Sequence, residues 1–175
     1  MRITPTNLSN SRLALDERRA PFSPTLYALS PDNTKTILKQ VWFPGVHSSA
    51  GGGERDHSLS NITIAWMAQQ ISYNTDLQLD LDYLYKMREK GENSLGRPWS
   101  SGTWEESYRG IFKLAGQRRR TPGRYNFPEG YVTNEYVHRS VFERMQNPET
   151  KYMPPDVSRL KEDEFGEVEK NLSWP

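Results

Sequence analysis

His47 is the residue whose type and position best suit it to chemistry. It follows the apolar run Val41-Trp42-Phe43 and sits in the loop Pro44-Gly45-Val46-His47-Ser48-Ser49-Ala50-Gly51-Gly52-Gly53. An imidazole titrates near neutral pH and glycines permit close approach, so a histidine just past a buried strand is suited to general-base work. Spacing alone favours a plainer reading, a loop histidine that hydrogen-bonds a neighbour. The three glycines would also offer backbone N–H groups to an anion ahead of a helix. Neither a Lys-Ser/Thr pair nor G-x-G-x-x-G accompanies them, and a tight turn is the preferred reading. His47, Glu54, Asp56 and His57 lie within eleven residues and are metal-ligating types, which opens a metal-dependent site in the 47–57 loop. Their spacing matches no compact ligand pattern, so a solvated polar loop is preferred. His138, in Glu135-Tyr136-Val137-His138-Arg139-Ser140, has no assigned role. The run Arg118-Arg119-Arg120 could meet phosphate groups of a lipid or nucleic acid, but beside a turn it reads as a solvated connector. Asp16 and Glu17, with Arg18 and Arg19, read as surface ion pairs or as an anchor for the first segment.

These side chains need elements to hold them. Ile37 to Phe43 is the strongest strand signal, closed by Pro44-Gly45, and the spacing predicts a buried strand over Lys39–Phe43 of an α/β sheet. Arg12 to Glu17 could start a helix or an edge element. A helix is predicted from Leu59 to about Tyr73, capped by Ser58, because Leu59, Ile62, Trp66, Met67 and Ile71 follow helical spacing. A second is predicted from Leu81 to Lys90, capped by Asp80 and stopped by Gly91. A third is predicted from Thr103, which forms a capping-box pattern with Glu106, through Trp104, Tyr108, Ile111, Phe112 and Ala115 to Gly116. Asn134 to Met145 reads as ordered, helix or strand. Trp42, Trp66 and Trp104 read as core.

Composition sets the frame. The chain has 175 residues, of which 34% are hydrophobic, and a mean hydropathy of -0.86, so the core is small for the length. Five Trp, nine Tyr and six Phe argue against wholesale disorder. With 23 basic against 22 acidic residues, net charge steers the molecule neither to nucleic acid nor to an anionic membrane. The absence of Cys excludes disulfides, thiolate metal sites and cysteine nucleophiles. Neither a signal-peptide pattern nor a transmembrane run of about 18 apolar residues is found. The default expectation is a soluble, cytoplasmic chain that needs no cofactor.

Several separated blocks then carry a family resemblance. Leu13 to Leu29 (LALDERRAPFSPTLYAL) and Gln40 to Gln70 (QVWFPGVHSSAGGG, then LSNITIAWMAQQ) resemble the C-terminal half of the DUF2235 family, α/β-hydrolase-like proteins related to Tle1-type phospholipases. Arg97-Pro98-Trp99, Lys113-Leu114-Ala115-Gly116, Arg120-Thr121-Pro122-Gly123 and Thr133 to His138 resemble fungal members. The resemblance implies a serine hydrolase acting on an ester or lipid, with chain order Ser, Asp, His and the Ser on a G-x-S-x-G-like elbow. His47 matches the catalytic histidine. No Ser of this chain has the elbow flanks, and Ser49 and Ala50 stand where the family has Asp and Val. Loss of a nucleophile reduces turnover by a factor of order a million.

The expectation is therefore a partial α/β-hydrolase-like fold, mostly helical with few strands, whose elbow, triad Asp and remaining strands belong to a half preceding residue 1. Residues 1–10 are expected as a disordered end, 11–145 as the C-terminal portion of the domain and 146–175 as a loosely ordered tail. Such a truncated chain is expected to be inactive alone. The alternative is a non-catalytic interaction protein, paired with a homologous chain that supplies the missing strands.

Overall fold

The strand expected at Lys39–Phe43 is longer and is the second of four parallel strands. In the computed structural model, which describes residues 7–86, 97–106, 108, 110–114 and 116–172, these are β1 (Asn7–Ala14), β2 (Thr36–Phe43), β3 (Glu135–His138) and β4 (Lys161–Asp163). They pair in the order β1-β2-β3-β4. Helices α1 (His47–Gly51), α2 (Ser58–Asn74), α3 (Arg139–Gln146) and α4 (Glu167–Leu172) complete an α/β arrangement.

Side-chain alternation along β2 divides the core in two. Val41 and Phe43 face α2 and pack with Leu59, Ile62, Ala65, Trp66 and Trp99. Trp42 points the other way, into Leu13, Leu15, Val137, Val141 and Val157. A parallel strand covered on both faces reads as a continuous apolar run, which is why β2 was legible. Gln40 interrupts that run and is fully buried. Its amide answers the backbone of two loops, accepting from Tyr27 N–H and donating to the carbonyls of Tyr27 and Thr133.

Helix α2 matches its expected span within a residue at each end, although Ser58 is its first residue and His57 its cap. The second expected helix is helical over 81–86, and its remaining residues lie outside those described. The third does not form as expected. Residues 103–106 are irregular, and a 3-10 turn occupies Gly110–Lys113. Long-range anchors displace the local cap: Thr103 donates its N–H and hydroxyl to Asp56 Oδ2 at 2.7 and 3.1 Å. Trp104, only partly buried, packs edge-on against Tyr152 beneath the Arg144 guanidinium.

The chain ends also differ from expectation. Residues 7–10 pair in register with β2, from Asn7 opposite Thr36, so they are strand rather than loose end. The stretch from 146 onwards supplies β4 and α4. Buried polar bonds tie it down despite its charge-rich composition: Trp66 Nε1 donates to Asp163 Oδ2 at 2.7 Å, and Lys39 pairs with Asp163 at 2.6 Å. No helix among the described residues is long and apolar enough to cross a membrane.

One carboxyl in this shell opposes stability. Burial raises Glu143 to about 7, against the pull of Arg139. A carboxyl raised from 4.5 to about 7 adds no penalty below 4.5 and its full penalty above 7. Glu143→Gln is therefore expected to stabilise the protein at pH 8 by about 1–3 kcal/mol and to have little effect at pH 4. Urea midpoints at the two pH values check this; equal shifts at both would refute it.

Candidate active-site loop and its surroundings

All four strands end on the same side of the sheet, where ligands of parallel α/β folds bind. Past those ends the chains of β1 and β2 continue to follow one another. Leu15 N–H donates to Phe43 O and Asp16 N–H to Gly45 O, both at 3.0 Å. The side chains then take over. Asp16 Oδ2 accepts Gly45 N–H at 2.6 Å, and Glu17 Oε2 accepts His47 N–H at 3.2 Å. Two consecutive carboxylates thus hold both sides of the Gly45-Val46-His47 turn.

The two carboxylates have opposite electrostatics. Burial raises Asp16 to about 6, outweighing the hydrogen bonds from Gly45 and Tyr152. Burial acts against Glu17 as well, but bonds from Arg19 and from His47 N–H outweigh it and hold the carboxyl at about 2. Arg19 reaches Glu17 through Nε at 2.9 Å and Nη2 at 2.8 Å. Glu17 is 1% exposed, so this pair is an internal anchor rather than a surface ion pair.

His47 opens α1 and is exposed. Its ring lies 5.2 Å from that of Phe22, whose face carries the Arg19 guanidinium at 3.8 Å. Among the described residues the imidazole has no hydrogen-bond partner, and Asp16 and Glu17 hold backbone of the loop instead. The ring borders a cavity of about 340 Å³ shared with Arg12, Glu17, Phe22 and Arg120. Ser49 is 1% exposed, and its hydroxyl accepts Val46 N–H at 3.1 Å. A side-chain bond therefore shapes the turn.

The other sequence candidates are dispersed. Glu54 accepts from the Ser48 hydroxyl. Asp56 is partly buried, which acts against its charge, but bonds from Ser58 and Thr103 prevail and hold it at about 2; it also pairs with Arg97 at 2.6 Å. His57 is exposed at the α2 cap. Among the described residues, no group of three or more His, Asp or Glu converges as a metal site.

His138, left without a role by the sequence, makes a serine-histidine-glutamate chain. Its Nδ1 lies 2.7 Å from Ser140 Oγ and its Nε2 2.9 Å from Glu169 Oε1. The arrangement resembles a catalytic triad, but all three residues are buried, His138 and Ser140 completely. Phe43 stacks on the imidazole at 4.5 Å and Phe165 meets it edge-on at 5.2 Å. Ser140 N–H also approaches Nδ1, at 3.2 Å, as a helix cap. The group is a structural tie.

Spacing did not reveal Asp16 and Glu17 as holders of the loop, since 30 residues separate Glu17 from His47. The available signal was the Asp-Glu-Arg-Arg run just after β1. Arg120 departs from the solvated-connector reading: Arg118 and Arg119 are exposed, but Arg120 is 5% exposed and donates to Phe22 O.

Residues 7–70 match the family model described as T6SS, Phospholipase effector Tle1-like, catalytic domain. The match covers β1, β2, the His47 loop and most of α2. No curated protein and no solved structure gives a match.

Proposed function

We propose, from the likeness of residues 7–70 to the Tle1-like phospholipase catalytic domain, that this chain carries the histidine-bearing part of a lipid-ester hydrolase. The carrying observation is His47 itself, at the carboxyl end of a buried central strand, with an exposed imidazole that has no hydrogen-bond partner among the described residues, beside a cavity, and its backbone held by Glu17. In this reading His47 takes the proton of a serine hydroxyl and passes it to the leaving group. Asp16 and Glu17 are positioning residues, because they hold the loop rather than the ring. The fold is the corresponding part of an α/β-hydrolase-like sheet.

No serine among the 175 residues has G-x-S-x-G flanks, so the nucleophile and the acid that orients the imidazole come from outside this segment. β1 is an edge strand among the described residues, and its unpaired backbone groups offer a place for a further strand. A segment or homologous chain that continues the sheet there would bring the missing groups to His47. The 175-residue chain alone is expected to leave p-nitrophenyl esters and phospholipids unhydrolysed and to take up no fluorophosphonate probe. Covalent labelling of one serine, lost in its alanine variant, would sink this reading.

A further inference from the structure

Arg120 is the charged group whose position the loop's role leaves unexplained. It is 5% exposed. Its Nη2 donates to Phe22 O, while Nε and Nη1 are buried and meet no acceptor among the described residues. A guanidinium stays charged at any ordinary pH, and burying it with N–H donors unanswered is strongly unfavourable unless an acceptor arrives. Arg120 lines the same cavity as His47, with Arg12 on the wall formed by β1. The carboxylate in that wall, Glu17, is already neutralised by Arg19 at 2.8 Å. The cavity is therefore electropositive, and the Arg120 side chain that borders it holds two buried donors that are unanswered among the described residues.

We infer that this cavity is an oxyanion site in which Arg120 and Arg12 bind a phosphate group, either free or as part of a phosphate ester. The Phe22 carbonyl holds Nη2, and a small turn of the guanidinium toward the cavity brings Nε and Nη1 to the anion, which answers two donors that are otherwise buried without acceptors. Charge-assisted bonds from guanidinium to phosphate are among the stronger protein hydrogen bonds. The site deepens the proposed function and rests on that reading only in assigning the anion to an ester substrate beside His47. Phosphate binding itself requires no serine.

The test is thermal unfolding of the 175-residue chain in inorganic phosphate, with chloride at matched ionic strength as reference. A rise in Tm of roughly 3–5 °C is expected at ten times the Kd. Arg120→Gln is expected to abolish the phosphate-specific rise, and Arg12→Gln, at an exposed position, to weaken affinity about 3- to 10-fold. Glycerophosphocholine serves as the second probe. A rise with both probes places a lipid headgroup in the site, and a rise with phosphate alone places the free ion there.

No rise beyond chloride overturns the inference, as does a full rise retained in Arg120→Gln. If Arg120→Gln does not fold, unchanged affinity in Arg12→Gln overturns it. Phosphate binding without ester turnover in any completed domain would refute the hydrolase reading and leave the anion site standing.

Discussion

Glu169→Ala is expected to destabilise the protein by about 2–4 kcal/mol, because it removes a buried hydrogen bond to a carboxylate and leaves the His138 Nε2–H unanswered. Glu169 Oε1 accepts the N–H of His138 Nε2 at 2.9 Å, and its Oε2 accepts Gly166 N–H at 3.0 Å, closing the start of α4. The approach of Ser140 N–H to Nδ1 makes that nitrogen an acceptor, which leaves the proton on Nε2. Without Glu169, this N–H is left in a buried site walled by Phe43 and Phe165, where a lost hydrogen bond is costly. Glu169→Gln retains a carbonyl oxygen and should lose markedly less. Urea denaturation of the two variants provides the comparison. A loss below about 1 kcal/mol in Glu169→Ala would mean that the tail is not tied to the sheet through this bond.

Gly45→Ala is expected to lose about 3–5 kcal/mol, and here geometry as well as chemistry is at stake. Gly45 has φ +102°, a conformation that disfavours side chains. An added Cβ would stand 2.6 Å from Ser49 Cβ, 2.8 Å from Ser49 Oγ and 3.0 Å from Leu59 Cδ1. Ser49 is buried and its hydroxyl holds Val46 N–H, so it cannot give way without releasing the turn. Backbone strain and core overpacking therefore add at one position. Gly51→Ala is the control, because an added Cβ there meets nothing within 4 Å. Thermal and urea unfolding should separate the two variants clearly; similar stabilities would contradict the account of this turn.

Parts of this architecture were legible in the residues. β2 was visible because Val41, Trp42 and Phe43 are apolar in succession and Pro44-Gly45 ends them. α2 was visible because Leu59, Ile62 and Trp66 repeat at helical spacing. Both signals are local, and burial enforces them. The capping-box pattern at Thr103 and Glu106 was equally local and failed, because a hydrogen bond to Asp56, 47 positions away, took the Thr103 donors. Local propensity is worth a fraction of a kcal/mol per residue and yields to such anchors.

Residue types and order alone placed His47 after a buried strand and on a glycine-bearing turn, because both properties follow from neighbours in the chain. Tertiary structure alone decided what surrounds it. Glu17 meets the His47 backbone, Arg120 enters the same cavity, and Glu169 closes on His138 across 31 positions. Each of these depends on a charge that the fold carries out of water and pairs or leaves waiting. Desolvation depends on which chains pack together in space, and spacing along one chain does not encode it.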